Sequence, residues 1–215
     1  MATDGGRSST PEQDAVEHYE ALLRQHGTVA PGVGWNSEFA QNERFAQICE
    51  ILPREDTNFS LLDFGCGFGS LAEFLSARRN NFTYLGYDAS PEMITHARSR
   101  SADARIQFEG DWSRVPECDF VVASGLFNVR GSWSDEHWWT YILDTLRSIH
   151  DRARRGWAAN FLTRYSDLDL MRPELYYADP LALFDWCKRN LSRYVAVHHD
   201  YPLFDFTLIV RKEPR

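Results

Sequence analysis

Nine consecutive residues, Leu61-Leu62-Asp63-Phe64-Gly65-Cys66-Gly67-Phe68-Gly69, constrain the fold of this chain more than any other stretch. A short apolar run (60–64) meets three glycines at alternate positions, and a helical pattern with Leu71, Phe74 and Leu75 on one face follows at once. The apolar run reads as a buried strand. Glycines let the backbone bend sharply and let a ligand approach without meeting a Cβ, and the helix start behind them offers unpaired N–H groups. Strand, tight turn and helix together open a parallel α/β sheet built to hold a nucleotide-like ligand or a carboxylate. The dinucleotide fingerprint puts its third glycine one position later, where this chain has Ser70, so pyrophosphate binding is disfavoured.

The remaining pattern extends that unit. Strands are predicted at 82–88, 104–111, 119–124, 156–163, 194–200 and 205–212. Helices are predicted at 70–79, from the Ser90-Pro91-Glu92 start, at 134–150 and at 180–190. Only Tyr201-Pro202-Leu203-Phe204 joins the last two strands, which forces a hairpin and an antiparallel final strand. Alternation of strand and helix implies a doubly wound α/β sandwich. Before it stand two amphipathic helices, one with Val16, Tyr19, Leu22 and Leu23, the other with Phe39, Phe45, Ile48, Ile51 and Leu52, stopped by Pro53. We therefore expect a disordered tail at 1–11, a helical cap at 12–54 and the α/β domain at 55–215. The seven tryptophans are mostly structural on this reading: Trp138, Trp139 and Trp157 fall on core or interface positions.

Composition narrows the function classes. A net charge of −8 disfavours non-specific nucleic-acid binding. There is no apolar run long enough to span a bilayer, and the polar start lacks the apolar core of a secretory signal. Cys49, Cys66, Cys118 and Cys187 form no CxxC pair, so no metal site is expected, and a reduced cytoplasmic setting fits. The expected partners are a small-molecule substrate and, at most, a second copy of the chain.

The strand ends supply the candidate ligand contacts. Asp88 ends the second strand, where a carboxylate accepts ribose hydroxyls. Asp111 and Trp112 follow the third strand and suit an adenine amino group and ring. These segments carry a family likeness. LLDFGCGFGSLAEFL, YLGYDASPEMITHAR, EGDW and DFVVASGLFNV resemble, in order and spacing, the cofactor motifs of the class I, Rossmann-like, S-adenosylmethionine-dependent methyltransferases, in particular small stand-alone bacterial ones. The resemblance covers roughly 55–212 and implies a seven-stranded, mostly parallel sheet of order 3-2-1-4-5-7-6 with strand 7 antiparallel. It implies S-adenosyl-L-methionine as cofactor, with Asp63, Gly65 and Gly67 at its methionine end, Asp88 and Ala89 at the ribose, Asp111 and Trp112 at the adenine, and Ser124 beside them. Phe64 and Phe68 depart from the smaller residues usual there. In similar enzymes a helix covers the cofactor, which nominates Trp35, Gln41 and Arg44, with Arg44 facing the cofactor carboxylate.

Methyl transfer is an in-line displacement that asks the protein chiefly for alignment and exclusion of water. Asn128, in the turn after strand four, and His199, an imidazole suited to proton transfer near neutrality with Asp200 beside it, are the catalytic candidates. Only one of His198 and His199 can face the site, because alternate strand residues point to opposite sides. The long connection after strand five carries Tyr176 and Tyr177, which with Arg130 and Asp200 are the substrate candidates. The (D/N)PPY sequence of nucleic-acid- and amide-methylating relatives is replaced here by Leu126-Phe127-Asn128-Val129. The expectation is transfer to oxygen or nitrogen of a small polar metabolite. The alternatives are an NAD-dependent oxidoreductase and a non-catalytic S-adenosylmethionine-binding protein.

Overall fold

The computed structural model describes residues 9–34 and 37–214. Its centre is one seven-stranded sheet of order β3-β2-β1-β4-β5-β7-β6. The strands are β1 (Phe59–Phe64), β2 (Phe82–Tyr87), β3 (Ile106–Glu109), β4 (Cys118–Ala123), β5 (Ala153–Leu162), β6 (Tyr194–His198) and β7 (Asp205–Arg211). The first five pair in parallel, and β7 runs antiparallel to both β5 and β6. The helices are α1 (Pro11–His26), α2 (Glu38–Ile48), α3 (Ser70–Ser76), α4 (Pro91–Arg100), α5 (Asp135–Arg152) and α6 (Pro180–Asn190).

Local chemistry accounts for the helix starts. Thr10 and Gln13 form a capping box ahead of Pro11, Ser37 caps α2, Ser90 caps α4, Ser134 caps α5, and Asp179 caps α6. Each side-chain oxygen satisfies an N–H that the helix itself leaves unpaired. Helix α1 thus starts at Pro11, one residue ahead of the predicted start, and residues 1–8 of the expected tail lie outside the described residues. Chain passes from α5 straight into β5 at Ala153, so β5 begins three residues before the expected Gly156. β6 ends at His198, which leaves six residues (199–204) rather than four in the hairpin turn.

Both faces of the sheet are covered, as continuous apolar strands require. One face packs Leu62, Val121, Trp157 and Leu208 under Trp138, Ile142 and Leu146 of α5. The other packs Leu61, Val122 and Ala158 under Phe45 and Ile48 of α2 and Leu71 and Leu75 of α3. Phe127, Phe161 and Phe206 stack in a row at centroid distances of 4.8 and 5.3 Å. Among the described residues no helix is long and apolar enough to cross a membrane.

Candidate active site

The turn after β1 is stapled to β2. Gly65 N–H and Cys66 N–H both donate to Tyr87 O, at 2.8 and 2.9 Å. Gly67 sits at φ 53°, and a Cβ there would lie 3.1 Å from Val33 Cγ1 in the 3₁₀ turn Ala30–Val33. Gly69 caps α3 at φ 86°, where a Cβ would meet Phe108 at 2.9 Å. Left-handed backbone and close approach thus both require glycine. Asp88, the residue after β2, holds the turn from below: its Oδ2 accepts Gly67 N–H at 2.8 Å and its Oδ1 accepts Ser90 N–H at 2.9 Å.

Above this turn lies a cavity of about 920 Å³, counting its part open to solvent. It stands at the carboxyl ends of the strands where the strand order reverses. Asp63, Gly65, Gly67, Asp88 and Ala89 form one side, and Ser124, Gly125 and Leu126 after β4 form another. Asn160 positions the β4 end, accepting Gly125 N–H at 2.9 Å and donating to Ser124 Oγ at 3.2 Å. Helix α1 crosses the top with Glu12, Ala15, Val16 and Tyr19, while Gln41 and Phe45 of α2 and Tyr141 of α5 complete the wall.

Polar contacts hold α1 there. Tyr19 Oη donates to Gly125 O at 3.1 Å, Ser90 Oγ to Glu20 at 2.7 Å, and Trp133 Nε1 to Asp14 at 2.9 Å. Among its described residues only Leu23 is fully buried; Ala15, Val16 and Tyr19 line the cavity, and Tyr19 also packs against the cluster of Leu23, Phe68 and Met93.

Burial dominates the electrostatics. It pushes the Asp63 carboxyl up to about 7, although Tyr84 Oη donates to its Oδ2 at 2.5 Å. It also raises Asp88, against the two backbone N–H bonds that favour the carboxylate. The sign for stability follows. Unfolded, Asp63 ionises near the ordinary carboxylate value; folded, it keeps its proton to about 7. Between roughly pH 4 and 7 the native state therefore binds the extra proton, and Asp63's contribution to stability is lost as pH rises through that window. Cofactor-free protein should lose melting temperature across this range, and Asp63→Asn should lose less. Parallel melting curves for the two proteins would refute the assignment.

The structure brings seven of the sequence-nominated residues into one wall: Asp63, Gly65, Gly67, Asp88, Ala89, Ser124 and Gln41. It places others elsewhere. Arg44 is corrected: its guanidinium is bound by Asp205 on β7, Nε to Oδ2 at 2.7 Å and Nη2 to Oδ1 at 2.6 Å. Trp112 stands behind the wall, its ring 5.0 Å from those of Phe64 and Tyr87, and Asp111 is exposed and accepts from Ser113. His199 is exposed against Tyr165 and Phe206, in the hairpin turn just after β6, a strand four spacings or about 19 Å across the sheet from β1. Its neighbour Asp200 is exposed there too.

Asn128 is buried as a brace, accepting Leu162 N–H at 3.4 Å with Oδ1 and Tyr176 N–H at 2.8 Å with its carbonyl. Arg130 ties the Trp133 and Pro173 carbonyls together, and Tyr177 Oη accepts Arg172 N–H. Tyr176, Tyr177 and Arg130 thus fasten the long connection and do not line the cavity. Trp35 lies outside the described residues. Sequence reasoning missed Glu12, Tyr19 and Tyr141 as wall residues. The available signal was the i, i+3, i+4, i+7 face Glu12, Ala15, Val16, Tyr19, a stripe too polar for a core.

Comparison with known proteins agrees with this geometry. Residues 37–181 match a family described as a methyltransferase domain. Rv1506c of Mycobacterium tuberculosis, a protein named for methyltransferase activity, is 47% identical over 155 residues, which are 72% of this chain and 93% of that protein. The trans-aconitate 2-methyltransferase of Mycolicibacterium gilvum is 36% identical over 77 residues, 36% of this chain and 29% of that protein. Among solved structures, magnesium protoporphyrin IX methyltransferase from Synechocystis with bound S-adenosylmethionine superposes with a TM-score of 0.67 at 13% identity, covering 97% of this chain and 100% of that one, a likeness of fold.

Proposed function

This chain belongs to the class I S-adenosylmethionine-dependent methyltransferases, and from that premise we propose that it methylates an oxygen or nitrogen of a small polar metabolite in the cavity beneath α1. The observation that carries this reading is the convergence of the glycine turn, Asp88 and the β4 end on one cavity roofed by α1 and α2. The residues fit the cofactor. A Cβ at Gly67 would intrude on a cradle already closed by Val33, and Asp88 offers a half-buried carboxylate at the tip of β2. In this reading Asp88 accepts the ribose hydroxyls, Asp63, Gly65 and Gly67 flank the methionine end, and Ala89, Ser124 and Gln41 pack around the nucleoside.

The bound cofactor supplies a sulfonium whose methyl carbon is already electrophilic. The chain's own work is to align the acceptor in line with that carbon and keep water out. Helix α1 and the rest of the 12–54 segment act as the roof that does so. His199 takes no part in this mechanism, being far across the sheet; an amine or hydroxyl acceptor sheds its proton to solvent or to a wall carboxylate. The 77 residues shared with the trans-aconitate enzyme are too small a share of that protein to carry its acceptor across.

The test is incubation of the purified protein with methyl-labelled S-adenosylmethionine and a low-molecular-mass cell extract. Label is expected in small products through an ether, ester or methylamine linkage. Label confined to protein or nucleic acid, or no demethylated cofactor at all, would overturn the proposal.

A further inference from the structure

We propose that the acceptor carries no negative charge, and that Glu12 is the residue that selects against anions; this rests on the methyl-transfer reading above. The wall of the cavity is one-signed. Its ionisable groups are the carboxyls of Glu12, Asp63 and Asp88, with the hydroxyls of Tyr19, Tyr87 and Tyr141 and the thiol of Cys66. Among the described residues lining it none is Arg, Lys or His.

The three acids do not have the same partners. Asp63 accepts from Tyr84, and Asp88 accepts from Gly67 and Ser90 beneath the proposed nucleoside position. Glu12 lies in the exposed first turn of α1, and its charge is among the causes, after burial, that raise the Asp88 carboxyl. Its charge reaches the rings around it, being among the causes, after burial, that raise the hydroxyls of Tyr87 and Tyr141. The nearby cations are turned elsewhere: Arg130 pairs with Asp135 at 3.1 Å and Arg172 with Glu174 at 3.4 Å.

An anionic acceptor would therefore give up hydration and meet Glu12, with no cation among the described lining residues to compensate. A cationic or uncharged acceptor meets the opposite situation. Its positive or hydroxyl-bearing end faces a carboxylate, and its apolar body lies against tyrosine rings, whose faces attract cations. Charge at Glu12 thus acts on acceptor choice.

The experiment uses three probes of one shape, phenethylamine, 2-phenylethanol and phenylacetate, with trans-aconitate as a second anion. Binding to protein saturated with S-adenosylhomocysteine is followed by saturation-transfer NMR. The expected order is amine, then alcohol, then the two anions. Glu12→Gln should reduce the amine-to-phenylacetate affinity ratio by about fivefold or more, as loss of a close charge pair does, and Glu12→Lys should invert it. Equal binding of amine and phenylacetate, a ratio unmoved by Glu12→Gln, or failure of every probe to bind would each overturn the proposal. Wild-type protein that does not bind S-adenosylhomocysteine would instead overturn the methyl-transfer reading, and this inference with it.

Discussion

Asp88→Ala should weaken S-adenosylmethionine binding by at least about a hundredfold. In the proposed site this carboxylate makes two charge-assisted hydrogen bonds to the ribose, together worth about 3–6 kcal/mol, or two to four orders of magnitude in Kd. The same oxygens hold Gly67 N–H and Ser90 N–H, so alanine also releases the turn from the start of α4. Two variants separate these roles. Asp88→Asn keeps the shape and one acceptor oxygen but not the charge, and should fall between wild type and alanine. Calorimetric titration measures the affinities, and melting of the same samples without cofactor reports the structural part. Wild-type affinity in Asp88→Ala would remove the ribose assignment. A large drop in melting temperature with normal affinity would leave Asp88 as a brace for the turn alone.

Much of this site was legible before any coordinates. The glycine spacing after an apolar strand, and an acid at the tip of the next strand, depend on local geometry that a sequence carries directly. The antiparallel β7 followed from a turn too short for a crossover. What was not legible depends on lateral position. Residues at strand ends all read as neighbours of a site, yet His199 sits four strands away because β7 inserts between β5 and β6. The face of α1 was visible as a stripe, but whether it met a core or a cavity depended on where the helix crosses the sheet. Tyr19 and Glu12 therefore looked structural, although Tyr19 reaches Gly125 across 106 positions.

Arg44 is the sharpest of these differences, since a basic residue near a cofactor reads naturally as a cofactor ligand. Asp205 claims it from 161 positions away, at the first residue of β7 and with no exposure of its own side chain. Arg44 Nη1 also donates to Ala40 O at 3.1 Å, so one guanidinium ties α2 to itself and to the sheet. Because α2 also presents Gln41 and Phe45 to the cavity, the pair sets the position of the roof. Removing Asp205 takes away the carboxylate to which both Nε and Nη2 of the buried Arg44 donate. Asp205→Ala should therefore cost about 3–5 kcal/mol, roughly 6–20 °C of melting temperature for a domain of this size. Replacing both partners with apolar residues leaves no orphaned charge, so Arg44→Met with Asp205→Leu should regain most of that loss. A double-mutant cycle read by thermal melts measures the coupling directly. If the double variant regains stability but binds S-adenosylmethionine more weakly, the ion pair serves to orient α2 over the cofactor. If it regains both, apolar packing suffices to hold the roof. If it remains as unstable as Asp205→Ala, the loss comes from β7 itself rather than from the stranded guanidinium.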